Sequence, residues 1–339
     1  MAASAAGEEY ETLLSEVAER RDLDTALLLA LADAIAAMHA RSAIAPAAPA
    51  IAGLERHAAA LAARAAAGRV RAGHGDLTLA HIALTEEGPL PFGGAGAPID
   101  VLADLAVLLT DLWERGLIVE TNIVANRYVD VAPQGASGWA LLPLLMAARA
   151  DDPALADPVA PRLVAIGGLS GTGKSTLARQ LGGYLGRTPG ARVLRSDVFR
   201  KRIAGLPPEA RLPPSHYTAP MDAATWEALF ESADDHLACG TSVILDAVFM
   251  RRSERDVAEL LAAQRRVPFI GLWLEAPERD RIGRVMARSG DASDAGTDVV
   301  REQSRRSVGE LYGWHRMKAN RPMEMLVPAA RAALERARR

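Results

Sequence analysis

The sequence predicts two units of different kinds. A mainly helical first half carries one small hairpin, and an α/β second half is built on a five-stranded parallel sheet flanked by helices. Three observations predict this. A length of 339 residues corresponds to roughly two domains at about 150 residues each. Residues 151–161, DDPALADPVAP, hold three prolines and three aspartates, the composition of a linker. The apolar period also changes across that segment, from helical spacing before it to short apolar runs alternating with helical stretches after it.

In the first half, residues 9–20 and 23–40 place apolar side chains at helical spacing, as in Leu27, Leu28, Leu31, Ile35 and Met38. Residues 41–50 read as a connector, and 51–68 as a further helix. A glycine turn, GHGDL, follows, then two β-like runs, HIAL and PLPF, around the turn TEEG. Helices are expected at 98–116, 118–130 and 138–150. In the second half, strands are expected at Leu163–Ile166, Arg192–Leu194, Ser242–Leu245, Phe269–Leu274 and Met323–Val327. Helices are expected between them at 174–186, 221–238, 252–265, 277–288 and 298–311. Strands alternating with helices imply βαβ units and a parallel sheet. The organisation read here is 1–150 helical, 151–161 linker and 162–339 α/β.

Composition narrows the function. Half of the residues are hydrophobic and 24% are charged, as in ordinary globular proteins. A net charge of −3 supplies no basic field for nucleic acid. A single cysteine, Cys239, excludes a disulfide within the chain and argues against a cysteine-based zinc site. The acidic opening MAASAAGEEYE lacks a signal pattern, and the most apolar windows are too short to span a bilayer. The expectation is a cytoplasmic protein with a small-molecule partner. Of 39 basic residues only Lys174, Lys201 and Lys318 are lysines. Lys201 and Lys318 are read as drift.

The strongest chemical signal is Gly168-Leu169-Ser170-Gly171-Thr172-Gly173-Lys174-Ser175-Thr176, a full G-x-x-x-x-G-K-[ST] motif between a strand and a helix. Its glycines let backbone N–H groups of Gly168, Ser170, Gly171, Thr172 and Gly173 wrap phosphate oxygens. Lys174 reaches the β and γ phosphates, Ser175 offers a hydroxyl to Mg²⁺, and Thr176 continues into the helix whose positive end faces the phosphates. ATP and Mg²⁺ are therefore the expected cofactors, on a P-loop NTPase fold.

The neighbours of the loop point to transfer chemistry. Asp197 follows the second strand, where ligands sit in a doubly wound sheet, and can orient and deprotonate an acceptor hydroxyl. It can equally cap the next helix. Arg200, one turn on, can hold an anionic group of the acceptor. The third strand, VILD, ends in Asp246, a carboxylate for the Mg²⁺ side. Arg281, Arg284 and Arg288 share a helical face before a small polar loop, SGDASDAGTD, that reads as a lid. Arg284 and Arg288 are candidates to neutralise the transferring phosphoryl group; a solvated basic face is the plainer alternative.

GLSGTGKSTLAR, SDVFRKR, VILDAVFMRRSER and the Arg/Asp-rich lid together resemble the small P-loop kinases of the gluconate kinase, polynucleotide kinase and zeta-toxin group, over about 162–311. The resemblance implies five parallel strands and phosphoryl transfer from ATP to a hydroxyl. It implies an acceptor-side base at Asp197 and a metal-side carboxylate at Asp246. It leaves the acceptor open.

His74-Gly75-Asp76 resembles the catalytic loop of aminoglycoside phosphotransferase-like kinases, in which the aspartate acts on the acceptor and an asparagine five residues later holds Mg²⁺. Here His81 stands at that position, and Gly93 stands where the family places a second metal-binding aspartate. Neither supplies the oxygen ligands Mg²⁺ takes. The family's β-rich ATP lobe has no counterpart before His74, where the sequence is helical. IDVLADLAVLLTDLWERGL still resembles its helical lobe. The pairing is similar to bacterial bifunctional aminoglycoside phosphotransferase/ATP-binding proteins, with residues 1–150 a shortened lobe without catalytic function. The expected activity is ATP-dependent phosphorylation of a small hydroxylated metabolite such as a sugar. The alternatives are a P-loop ATPase or switch with the helical half as partner surface, and a toxin-like nucleotide-sugar kinase.

Overall fold

A computed structural model describes residues 12–287 and 292–336, and the backbone alone of the two-residue strands β1 (Ser4–Ala5) and β2 (Glu8–Glu9). The chain divides into two units, Met1–Pro158 with Arg187–Pro189, and the remainder from Val159 to Arg339.

The first unit is mainly helical. Its helices are α1 (Leu14–Glu19), α2 (Thr25–Arg41), α3 (Ala58–Ala66), α4 (Val101–Glu114), α5 (Ile118–Val131) and α6 (Gly135–Ala150). Asp24 and Asp100 cap α2 and α4 by accepting from the N–H groups of Leu27 and Leu102, so carboxylates satisfy donors that a helix start leaves open. Strand β3 (Val70–Gly73) pairs antiparallel with β6 (Ala97–Asp100), and β4 (Ile82–Thr85) with β5 (Gly88–Pro91). The second pair is the HIAL/PLPF hairpin. The core is aliphatic, with Leu28, Leu31, Ile35, Leu105, Leu109, Val124 and Leu142 almost fully buried. A bidentate pair, Arg127 to Asp33 at 2.6 and 2.7 Å, ties α5 to α2.

The second unit is a five-stranded parallel sheet. Its strands are β7 (Leu163–Gly168), β8 (Arg192–Arg195), β9 (Val243–Asp246), β10 (Phe269–Glu275) and β11 (Trp314–Lys318), in the order β11-β10-β7-β9-β8. The helices are α7 (Lys174–Gly182), α8 (Ser196–Ile203), α9 (Ala219–Ala238), α10 (Arg252–Arg265), α11 (Glu278–Met286), α12 (Thr297–Ser304) and α13 (Met323–Arg336). Every residue of β7 is buried, as a central strand covered on both faces requires. Alternate residues feed opposite layers. Val164 and Ile166 pack with Leu177 and Leu181 of α7 and Ala330 of α13, while Leu163 and Ala165 pack with Leu229 of α9 and Leu261 of α10. The chain leaves β7 for β8 on one side and later adds β10 on the other. The carboxyl end of β7 is thus the switch point at which such sheets bind ligands.

The structure corrects one strand. Met323–Val327 is not the fifth strand but the opening of α13, and the fifth strand is Trp314–Lys318. A short apolar run has no period of its own, and here it continues at helical spacing through Leu326, Ala330, Ala333 and Leu334, which are buried. The true strand was masked because it is an edge strand, WHRMK, dominated by exposed basic side chains. Helices α7 and α12 also end sooner than their apolar spacing predicts, at Gly182 and Ser304. No helix among the described residues is long and apolar enough to cross a membrane.

Two tryptophans fill one face of the sheet only because glycines stand opposite them. A Cβ at Gly271 would lie 2.4 Å from the Trp314 ring, and one at Gly167 would lie 2.8 Å from Trp273. Gly271→Ala is therefore expected to destabilise the second unit by about 1–3 kcal/mol through overpacking. The check is the urea midpoint at unchanged slope.

Candidate functional site

The phosphate loop joins the buried strand β7 to α7. Gly168, Gly171 and Gly173 have φ of 142°, 83° and 92°, conformations that side-chain-bearing residues rarely adopt. Gly171 also has no room for a side chain, since a Cβ would sit 2.5 Å from the carbonyl of Arg281. Thr172 Oγ1 donates to the Leu169 carbonyl at 2.8 Å, closing the loop, and Lys174 Nζ donates to the same oxygen at 3.3 Å. Helix α7 starts at Lys174, so its unpaired N–H groups open on the loop. Ser170 donates its backbone N–H to Gln303 Oε1 of α12 at 2.8 Å. Gln303 is a site residue that sequence reasoning missed; it lies far along the chain and in no motif.

Ser175 and Asp246 come together at the strand ends. Arg195, the last residue of β8, donates to Ser175 Oγ at 3.2 Å and to Asp246 Oδ2 at 3.3 Å. A cationic group therefore already bridges the hydroxyl and the carboxylate. Both donors are hard oxygens of the kind Mg²⁺ takes, so these residues fit the metal. Among the described residues no group of three His, Cys, Asp or Glu forms a metal cluster. A single carboxylate, a hydroxyl and nucleotide phosphates match that arrangement.

Asp197 lies in the first turn of α8, directly after β8, partly buried. Burial pushes its carboxyl above the usual carboxylate range, and Asp246 adds to the rise; Arg195, Lys174 and a hydrogen bond from Ser293 oppose it. Asp197, Lys174 and Asp246 are thus near enough to act on one another's charge. Arg200, one turn on, donates to Asp222 at 2.6 Å and lies over the Tyr217 ring at 5.4 Å. Lys201 is not drift. It is buried and donates to Asp294 of the lid segment at 3.1 Å. Leu212 N–H and Tyr217 Oη also donate to Asp294, at 3.0 and 2.9 Å.

Of the two lid arginines, Arg284 reaches the loop. Its guanidinium donates to the carbonyls of Gly171 at 3.4 Å, Thr172 at 3.3 Å and Ala319 at 2.6 Å. Arg288 lies outside the described residues. Arg281, on the same helical face, is not part of a solvated basic face but is buried, where it donates to the Ala276 carbonyl and pairs with Ser304.

In the first unit, the His74-Gly75-Asp76 turn is held from below. Asp104 of α4, fully buried, accepts from the N–H groups of His74 and Gly75 at 2.7 and 2.8 Å and bonds His39 Nε2 at 3.1 Å. Burial raises the Asp104 carboxyl, but the His39 bond and these two amides outweigh it and hold the group below the usual range. Asp76 is exposed, with His81 Nδ1 at 3.5 Å and Arg149 at 3.7 Å. His81 also bonds the Asp76 carbonyl at 2.8 Å. Gly93 has a φ of 77° with open space where a side chain would be.

Residues 163–309 match the model of a family described as an AAA domain. Uncharacterised proteins of Mycobacterium bovis and Mycobacterium tuberculosis are 31% identical over 175 residues, which is 50% of this chain and 34% of each relative. The matched region thus spans about a third of those longer proteins. Among solved structures, a sugar kinase from Janibacter is similar at 24% identity, covering 52% of this chain and 95% of that one with a TM-score of 0.38. A gluconokinase from Sinorhizobium meliloti gives 20%, 52%, 93% and 0.36. An APS kinase from Mycobacterium tuberculosis, in complex with AMPPNP and APS, gives 19%, 52%, 99% and 0.38. The second unit has a P-loop NTPase fold.

Asp104→Ala would leave His39 and two amides without their shared acceptor. Thermal unfolding is expected to show the first unit destabilised by about 3–5 kcal/mol. Because the folded carboxyl is held low, this contribution is present above about pH 4 and is lost as the pH falls through the folded value.

Proposed function

We propose that the second unit is an ATP-dependent phosphotransferase acting on a hydroxyl of a small molecule. The observation that carries this reading is the placing of Asp197 directly after β8, whose last residue, Arg195, bonds both Ser175 at the start of α7 and Asp246 at the end of β9. A nucleotide-dependent switch needs no carboxylate in front of the γ phosphate; a kinase does.

In this reading ATP lies on residues 168–176, with backbone N–H groups and Lys174 on its phosphate oxygens. Ser175 and Asp246 would hold Mg²⁺, which would neutralise phosphate charge when bound. Asp197 accepts the acceptor's hydroxyl proton as that oxygen bonds the γ phosphorus and the bond from phosphorus to the β–γ bridging oxygen breaks, ADP leaving with the electron pair. Arg284 braces the loop through its carbonyl contacts, and Arg288 is the lid arginine offered to the moving phosphoryl group. Positioning and electrostatics carry most of the rate enhancement. The first unit is proposed as a phosphotransferase-like lobe without activity, because His81 stands five residues after Asp76 where an oxygen ligand for Mg²⁺ is needed, and Gly93 offers no ligand.

ADP release should depend on an acceptor. Screened over sugars, sugar acids, nucleotide sugars and aminoglycosides, at least one compound should stimulate it, and Lys174→Ala should abolish the stimulated rate by about 100-fold or more. Equal release with every compound would instead favour the ATPase reading. Asp197→Asn should lower kcat by about 100-fold or more while nucleotide affinity stays within a few-fold.

The pH profile carries a second sign. A base acts only when unprotonated, and the Asp197 carboxyl is held above the usual value of about 3.9. kcat/KM should therefore fall as the pH drops through that raised value, at a higher pH than an exposed aspartate would set. The Asn variant should lack that limb.

A further inference from the structure

Three basic side chains flank Asp197 on β8 and α8, and each already holds a carboxylate. Arg195 bonds Asp246, Arg200 bonds Asp222, and Lys201 bonds Asp294. Arg202, also on α8, lies over the Phe199 ring at 5.1 Å. Each of Arg195, Arg200 and Lys201 is thus matched by a carboxylate of its own. An anionic acceptor that used Arg200 would have to strip it from Asp222.

The same cluster offers what an uncharged acceptor needs. Tyr217 is half exposed, and Arg200 covers one face of its ring at 5.4 Å. Its hydroxyl is pinned by Asp294 at 2.9 Å, which fixes the ring. Ser293, beside Asp294 in sequence, hydrogen-bonds Asp197, so ring and base belong to one connected network. A pyranose or polyol carbon face packs on an aromatic ring, and its hydroxyls donate to carboxylates that retain free lone pairs.

Resting on the kinase reading above, we propose that the acceptor is an uncharged polyhydroxylated molecule, a neutral sugar or polyol, seated on the Tyr217 ring, and that Asp222 sets this choice by neutralising Arg200. Asp222 is thereby a specificity-determining residue, and it selects against sugar acids and phosphorylated sugars.

The test uses the full chain with Mg²⁺ and a non-hydrolysable ATP analogue. Calorimetric titration compares neutral aldoses and alditols with the aldonic acid matched to each. The neutral member should bind about tenfold or more tightly in the pairs that bind at all. Asp222→Asn should narrow or reverse that preference by about tenfold, since it leaves Arg200 without its charged partner. Tyr217→Ala, which leaves the Arg200–Asp222 pair in place, should weaken the neutral ligand by about tenfold. Tighter binding of the acids, binding of no member of any pair, or a preference that neither substitution moves would overturn the proposal. Neutral preference in binding without phosphoryl transfer from ATP would leave the proposal standing and sink the kinase reading instead.

Discussion

The phosphate loop lies against α11 with no space for a side chain between them. A Cβ on Gly171 would meet the Arg281 carbonyl at 2.5 Å, so backbone touches backbone. Much of the site follows from that contact. It brings Arg284 within reach of three carbonyls, two of them in the loop itself. Buried Arg281 pairs with Ser304 of α12, beside Gln303 and its bond to Ser170. Helices α11 and α12 are thereby built against the phosphate loop, and the geometry of the three segments cannot vary independently.

Charge organises the opposite side of the cradle. Arg195, Arg200 and Lys201 arrive from one strand and the helix that follows it, and each meets a carboxylate from elsewhere in the unit. Pairing of this kind stabilises little on an exposed surface. Here the side chains of Lys201 and Asp246 are only 2% and 5% exposed, so removing either partner would strand a charge in a poorly solvated place. The pairs therefore hold segments in position as well as balancing charge. Asp294 alone gathers Lys201, Leu212 and Tyr217 from three stretches of chain.

The legibility of this protein in its sequence varied with the range of the interaction concerned. The loop was readable because its chemistry is local: Gly168 to Thr176 are consecutive, and each residue type has one task. The sheet is readable where strands are buried and apolar, as in LVAI and VILD and at the buried edge strand β8, and unreadable at the other edge, where WHRMK exposes its charge to solvent. Residues whose role depends on distant partners left no trace. Gln303 reaches Ser170 across 133 positions, and Lys201 reaches Asp294 across 93. Nothing next to either in sequence marks it. Lysine is scarce in this chain, yet scarcity alone does not mark Lys201, where burial, invisible in one sequence, decides the role.

The support beneath His74-Gly75-Asp76 has a consequence for how such tripeptides should be interpreted. Asp104 needs the two amides of that turn as much as the turn needs Asp104, because a fully buried carboxylate must find donors. A substitution that reshaped the turn would unseat the helical core below it. Folding alone therefore favours this turn's backbone shape, whether or not Asp76 ever meets a substrate. In a protein of this build the turn is part of the core's own hydrogen bonding, and a tripeptide of this kind speaks for an intact core before it speaks for an enzyme.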